Sequence, residues 1–185
     1  MKDFARDDLL FSLCGLNCAL CTMKLGGFCP GCGGGAGNQS CAIARCSLAH
    51  GVRTYCSACS DYPCSRYDGA AESDSFITHR NQRKDLEKAE KIGMAAYHAE
   101  LHEKADLLRY LLENFNDGRR KTFFCLAVNL LELADIRAAL KKTEAELAPD
   151  AAVKERALLA VQNFTAAAAQ SGVSLQLRRK EKSKG

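Results

Sequence analysis

The sequence predicts a mainly α protein, with an irregular cysteine-rich N-terminal domain followed by a C-terminal helical bundle. Two observations predict it. Ten of the 11 cysteines crowd between Cys14 and Cys64, in a stretch rich in glycine and poor in long aliphatic residues. From Lys84 onward, apolar residues recur at helical spacing instead. The length of 185 residues suits one ordinary domain, or a small domain with a helical partner.

The elements follow in chain order. Residues 12–68 form the cysteine-rich domain. Its run Gly31-Cys32-Gly33-Gly34-Gly35-Ala36-Gly37-Asn38 can only be loop, because so many glycines favour neither helix nor central strand. A segment this poor in apolar mass cannot bury enough surface to fold alone. Domains of that kind need staples, and bound metal supplies them. Residues 69–83, with Gly69, Ser73, Asp74 and Ser75, read as a linker. Residues 84–172 read as about three helices. Leu101, Leu108, Leu111, Leu112 and Phe115 share one face, and Asn116-Asp117-Gly118 stops the helix. Phe124, Ala127, Val128, Leu131 and Ala138 mark a second face. Pro149-Asp150 opens a third helix, with Val153, Ala157, Val161, Phe164 and Ala168 on one stripe and Gly172 at its end. Residues 173–185, including Arg178-Arg179-Lys180-Glu181-Lys182-Ser183-Lys184, read as a basic, flexible, solvated tail.

Charge and hydropathy exclude several classes of function. Net charge is +4, too small to argue for nucleic acid by itself. The cysteine segment has few basic residues (Lys24, Arg45, Arg53, Arg66) and no basic stripe of the kind a nucleic-acid reader presents. Arg119-Arg120-Lys121 reads as a solvated charge run. No apolar stretch is long enough for a membrane span. The N-terminus carries acids and only a short apolar run, Leu9 to Leu13, which does not fit a secretory signal. The expectation is therefore a cytoplasmic protein. In that reducing compartment, clustered cysteines point to metal or redox chemistry rather than to disulfides.

The cysteine spacing carries the chemistry. It runs Cys14-x3-Cys18-x2-Cys21-x7-Cys29-x2-Cys32-x8-Cys41-x4-Cys46-x9-Cys56-x2-Cys59-x4-Cys64. Two thiolates three residues apart can grip one ion from a tight turn, and two such pairs complete a tetrahedral shell. Cys18, Cys21, Cys29 and Cys32 have that arrangement. Cys56 and Cys59 form the nucleus of a second site, completed from Cys41, Cys46 and Cys64. Ten ligands exceed the need of two four-coordinate sites, so the surplus pair bridges ions, serves a third centre or stays free. Zinc, two or more ions, is the first reading, since closed tetrahedral thiolate sites suit it. A [4Fe-4S] cluster is the alternative, because four thiolates also hold one. Cys14-x3-Cys18-x2-Cys21 has the spacing by which radical enzymes using S-adenosylmethionine hold a cluster. The chain lacks the strand–helix alternation of their barrel, and that enzyme class is rejected.

Cys14-Gly15-Leu16-Asn17-Cys18-Ala19-Leu20-Cys21, Cys29-Pro30-Gly31-Cys32, Cys41-Ala42-Ile43-Ala44-Arg45-Cys46 and Cys56-Ser57-Ala58-Cys59-Ser60-Asp61-Tyr62-Pro63-Cys64 resemble an uncharacterised cysteine-rich prokaryotic family, domain of unknown function 3795. The resemblance covers about residues 12–68, and the stretch from Asn116 to Leu131 looks like that of a subgroup. All ten cysteines match the family pattern. The resemblance implies a metal-binding domain, often found in anaerobes, and no established activity. The anaerobic association argues for iron–sulfur.

Other chemistry-bearing residues read as structural. Cys125, in Phe123-Phe124-Cys125-Leu126-Ala127, reads as a small buried apolar residue of a helix. His50 is a candidate ligand that ten cysteines make unnecessary. His98 and His102 read as a solvated polar face, since the intervening Glu100 is misplaced for a zinc-protease motif. The Gly33–Gly37 run lacks the lysine and the strand–helix setting of a phosphate loop. No Ser/His/Asp set and no small-molecule substrate stand out. The sequence therefore reads as a structural zinc module serving a protein partner rather than as an enzyme, with an enzyme or metal-handling protein that uses the surplus thiols as a third reading. The alternative is an iron–sulfur electron-transfer protein.

Overall fold

The computed structural model describes residues 3–35, 41–51 and 54–179. Ala36, Gly37 and Asn38 of the glycine run, Arg53, and residues 180–184 of the basic tail lie outside the described residues. Among the described residues are seven α-helices, three single 3-10 turns and no strand. The fold is mainly α, with an irregular cysteine-rich N-terminal region. The chain divides into two compact units, Met1–Leu101 with Leu177–Gly185, and His102–Gln176.

The first unit holds α1 (Thr22–Leu25), α2 (Ala42–Ala49), α3 (Gln82–Ile92) and the start of α4 (Met94–Asn114). The cysteine segment has a small core of its own, where Phe4, Leu13 and Ala44 are buried and Cys32, Ile43, Leu48 and Cys56 pack against them. Phe11 and Leu20 are also buried, as are Leu86 and Ala89 of α3 and Tyr97 and Leu101 of α4. The Phe11 ring lies 4.7 Å from Tyr97 and 5.5 Å from Tyr55. A buried polar chain runs through this unit. Asn17 donates to Asp85 at 2.8 Å, and the Tyr97 hydroxyl donates back to the Asn17 side-chain carbonyl at 2.8 Å. Gly15 makes the approach possible. It has φ of +91°, and a Cβ there would sit 2.1 Å from the Gln82 carbonyl oxygen, so only glycine fits.

Three expectations change in this unit. The 69–83 stretch is not a free spacer, because Asp74 organises it. Its carboxylate accepts from the Thr78 hydroxyl, the His79 N–H and the Arg178 N–H. For the same reason the tail is not frayed at its start. Asp74 N–H donates to the Arg178 carbonyl at 2.7 Å, and the Arg178 guanidinium donates to the Ala71 carbonyl at 3.0 Å. His98 is not simply solvated, since its Nε2 lies 3.1 Å from Asp8, which also accepts from the Tyr55 hydroxyl at 2.5 Å. His102 is exposed, as expected.

The second unit holds the rest of α4, then α5 (Lys121–Leu130), α6 (Leu133–Glu146) and α7 (Val153–Gln170). Leu108, Leu111, Phe115, Phe124, Val128, Leu131, Ile136 and Phe164 are buried. Phe124 and Phe164 meet edge to face at 6.1 Å, a favoured aromatic geometry. Lys104 is buried and donates to the Leu131 carbonyl at 2.8 Å, placing a cation at the C-terminal end of α5. Asn116 accepts from the Gly118 and Arg120 N–H groups, which builds the expected turn after α4.

Two details of the helical stripes differ. Ala138 is exposed, while Ile136, Ala139 and Leu140 are buried. The helix breaks after Leu130 and restarts at Leu133, so the face does not carry on in one register. Val153 is 48% exposed, because α7 begins there rather than at Pro149. Glu155 reaches back to the Ala152 N–H at 3.0 Å and caps this start. Gly172, with φ of +67°, ends α7 as expected.

Candidate metal centres

Two of the C-x2-C pairs share one local structure. Cys18–Leu20 and Cys56–Ala58 are single 3-10 turns. The Cys21 N–H donates to the Cys18 carbonyl at 3.1 Å, and the Cys59 N–H donates to the Cys56 carbonyl at 3.0 Å. Side chains three apart eclipse in such a turn, which is what a two-thiolate grip requires. The third pair, Cys29 and Cys32, flanks Pro30-Gly31. Gly31 has φ of +102°, and a Cβ there would sit 2.5 Å from the Leu9 carbonyl oxygen. This turn is thereby pressed against the N-terminal segment.

Cys46, Cys56, Cys59 and Cys64 line one small cavity of about 30 Å³, walled by Ile43 and Tyr67. Cys46 comes from α2, and the other three come from the turns that follow it. Ser47 also lines this cavity. It is 5% exposed, and its hydroxyl has no hydrogen-bond partner. His50 Nδ1 lies 3.5 Å from the Cys46 sulfur, and the Arg66 guanidinium donates to that same sulfur. Burial pushes the Cys56 thiol up to about 12, and the charges of Cys14, Cys64 and Cys59 add to the rise against a hydrogen bond from Tyr67.

A second set of thiols gathers around Cys14. Its sulfur lies 3.3 Å from the Ser12 hydroxyl and is hydrogen-bonded to Gln82. Burial raises the Cys14 thiol, and the thiolates of Cys32 and Cys41 raise it further. Burial pushes Cys18 up to about 12, opposed by the Cys32 N–H and reinforced by Cys32, Cys14 and Cys21. Cys32 is raised by burial, opposed by the Leu13 N–H and by Arg6, with Cys41 again adding to the rise. Cys41 and Cys14 line one pocket. The Cys56 N–H donates to the Leu13 carbonyl at 2.8 Å, which sets the two thiol groups side by side.

None of the 11 cysteines is paired in a disulfide. Among the described residues, no three His, Cys, Asp or Glu side chains are drawn together closely enough to hold one ion as they stand. The donor chemistry nevertheless fits a soft divalent metal. Buried thiols crowded together are poor acids because each thiolate repels the next. A coordinating metal cation supplies the missing positive charge and deprotonates a thiol outright. The Ser47 hydroxyl fits as well, since a metal-bound thiolate would give it an acceptor. Cys125 is buried in α5 of the second unit, 5% exposed.

The sequence reading did not single out Ser47, Arg66, Tyr67, Gln82 or Asn17. Of these only Ser47 carries a usable signal, standing next to Cys46. No helix is long and apolar enough to cross a membrane among the described residues. No family model, curated protein or solved structure matches this chain.

Proposed function

We propose that this chain is a metal-binding protein whose N-terminal thiolates hold zinc in closed four-cysteine sites, and that the unit so built serves a protein partner. Membership of the family named by the resemblance, domain of unknown function 3795, is part of the same proposal. The observation that carries the reading is the cavity lined by Cys46, Cys56, Cys59 and Cys64 with the unpartnered Ser47 hydroxyl on its wall. A buried hydroxyl without a partner costs about 1–3 kcal/mol, and a bound metal thiolate relieves it. Zinc would supply structural cross-linking there, and no open coordination position is needed.

The partner reading has its own support. Phe28 is 73% exposed and Phe76 66% exposed in the first unit. The Thr22 hydroxyl of α1 donates to the Phe76 carbonyl at 3.2 Å, so the Phe76 loop adjoins the turn that precedes Phe28. Exposed aromatic side chains are enriched where proteins meet. The Cys14-x3-Cys18-x2-Cys21 spacing favours a second reading, an iron–sulfur redox protein.

Metal and acid-labile sulfide analysis of protein purified without oxygen, with its visible spectrum, tests both. Zinc without sulfide is the expected result. Iron with matching sulfide, and a brown colour that bleaches on reduction, would replace zinc by a cluster. Protein containing neither metal would remove the metal reading altogether.

A further inference from the structure

We infer that the second unit carries a binding site for a small organic monocarboxylate with an apolar body, in the cleft lined by Tyr110, Phe115, Glu144 and Arg156. The inference stands apart from the metal reading, since no cysteine lines this cleft.

The helices of the unit build the cleft where their ends converge. Tyr110 lies on α4 and Phe115 directly follows that helix. Glu144 is near the end of α6, and Arg156 is in the first turn of α7. Leu147 and Pro149, from the connection between α6 and α7, complete the lining with apolar surface. The cleft holds about 340 Å³, within the range of small-molecule sites. Phe115 is 1% exposed and belongs to its base, whereas Tyr110 is 40% exposed and stands at its mouth.

Arg156 supplies the recognition. Its guanidinium carbon lies 5.5 Å from the centre of the Phe115 ring, so the cation rests against an aromatic face. Its Nε is buried and has no hydrogen-bond partner. Arg109 and Arg137 of the same unit each meet a carboxylate. Arg156 pairs with none among the described residues. A buried donor without an acceptor is costly. A carboxylate entering the cleft would relieve it, because a planar guanidinium matches a carboxylate through two parallel hydrogen bonds.

The opposite charge in the lining sets the class of ligand. The Tyr110 hydroxyl donates to Glu144 at 2.8 Å, so it is committed to the protein rather than to a ligand. That bond holds the Tyr110 hydroxyl above its ordinary value. Burial and the Glu144 charge add to the rise, and the Arg156 charge opposes it. One cation and one carboxylate therefore share the cleft. A dianion such as phosphate would meet repulsion from Glu144. A single carboxylate at Arg156 meets less, and its apolar body has Leu147 and Pro149 to cover it.

The test titrates the full chain at neutral pH with 4-methylpentanoate, followed by calorimetry. The amide of the same acid and inorganic phosphate serve as comparison probes. The acid should bind saturably, and both the amide and phosphate should bind at least about tenfold more weakly, as the loss of charged hydrogen bonds implies. Arg156→Gln should weaken the acid to the level of the amide. Because Arg156 also packs on Phe115, a second variant guards against a folding defect. Ala148→Leu fills the cleft from an exposed position outside any helix and leaves Arg156 in place. It should weaken the acid while the helical signal and the urea midpoint stay unchanged. No saturable binding of the acid, equal binding of acid and amide, tighter binding of phosphate, or full affinity in both variants would each overturn the inference.

Discussion

In the second unit, Phe115, Phe124, Val128, Leu131, Ile136 and Phe164 are each at most 1% exposed; they come from α5, α6 and α7 and from the residues that directly follow α4 and α5. The first unit also buries Phe11, Leu13, Leu20, Leu86, Tyr97 and Leu101, but much of it is held by other means. There the contacts that join segments far apart in sequence include Asn17 to Asp85, Tyr97 to Asn17, Asp8 to His98 and Asp74 to Arg178. The difference teaches how composition selects the means of folding. A stretch with enough aliphatic residues at helical spacing can be held by non-directional burial. A stretch made of cysteine, glycine and turns depends on directional bonds, and on whatever its thiols can bind.

The sharpest way to break that comparison is to remove one thiol. Cys59→Ser should abolish metal binding at the cavity lined by Cys46, Cys56, Cys59 and Cys64 and unfold the cysteine segment, because structural thiolate metal sites contribute on the order of 10 kcal/mol to folding. The α5–α7 helices should remain. Limited proteolysis with peptide mapping reads both outcomes at once. A segment that keeps its metal and its protease resistance after this change would mean that Cys59 is not a ligand.

The converse experiment acts on the second unit. Phe164 is fully buried and packs on Phe124. Phe164→Ala should cost about 3–5 kcal/mol, from lost burial and the cavity left behind. Urea unfolding followed by helical signal measures it. Zinc stoichiometry of the first unit should stay unchanged. A fall in zinc content would show that the two units do not fold independently.

Next in size comes the polar chain of the first unit. Tyr97→Phe keeps the ring against Phe11 and deletes only the hydroxyl. The Asn17 side-chain carbonyl then loses its Tyr97 donor while 3% exposed. The expected cost is about 0.5–1.5 kcal/mol, the net worth of one hydrogen bond, read from the urea midpoint at constant slope. A neutral result would mean that water replaces the hydroxyl, and that the core of this unit is looser than its burial suggests.

Much of this was legible in the sequence, and the limits have physical causes. The faces carrying Leu108, Leu111, Phe124 and Phe164 follow from helical periodicity, a local property. The break after Leu130 was missed because Leu131-Glu132-Leu133 continues the apolar pattern while the backbone leaves the helix. The C-x2-C turns were legible from spacing, but how the pairs assemble was not. Cys41 lines one pocket with Cys14 and with residues of the 69–82 stretch, and spacing along the chain does not encode that. The pinning of the tail is the extreme case. Asp74 and Arg178 are 104 residues apart, and nothing local in either marks the pairing.

That pairing gives the smallest and most specific effect. Burial by itself would raise the Asp74 carboxyl. The N–H groups of Arg178 and His79, the Thr78 hydroxyl and the nearby Arg80 charge more than offset it and hold the carboxyl below its ordinary value of 3.8. A carboxylate whose folded pKa is depressed stabilises the fold above its unfolded value. That contribution fades as pH falls through the folded value. Wild type should therefore exceed Asp74→Asn in stability at neutral pH, and the two should converge in acid as the folded carboxyl takes up its proton. Urea unfolding across that range measures the gap. A constant gap would assign the stabilisation to the shape of the hydrogen bonds, which asparagine partly keeps, rather than to the charge. Because Asp74 also shapes the loop that carries Ser73 and His79, the same variant should leave the cavity lined by Cys46, Cys56, Cys59 and Cys64 untouched and alter only the pocket lined by Cys14, Cys41, Ser73 and His79. The pH series thus separates the two halves of the first unit as the proteolysis separates the two units of the chain.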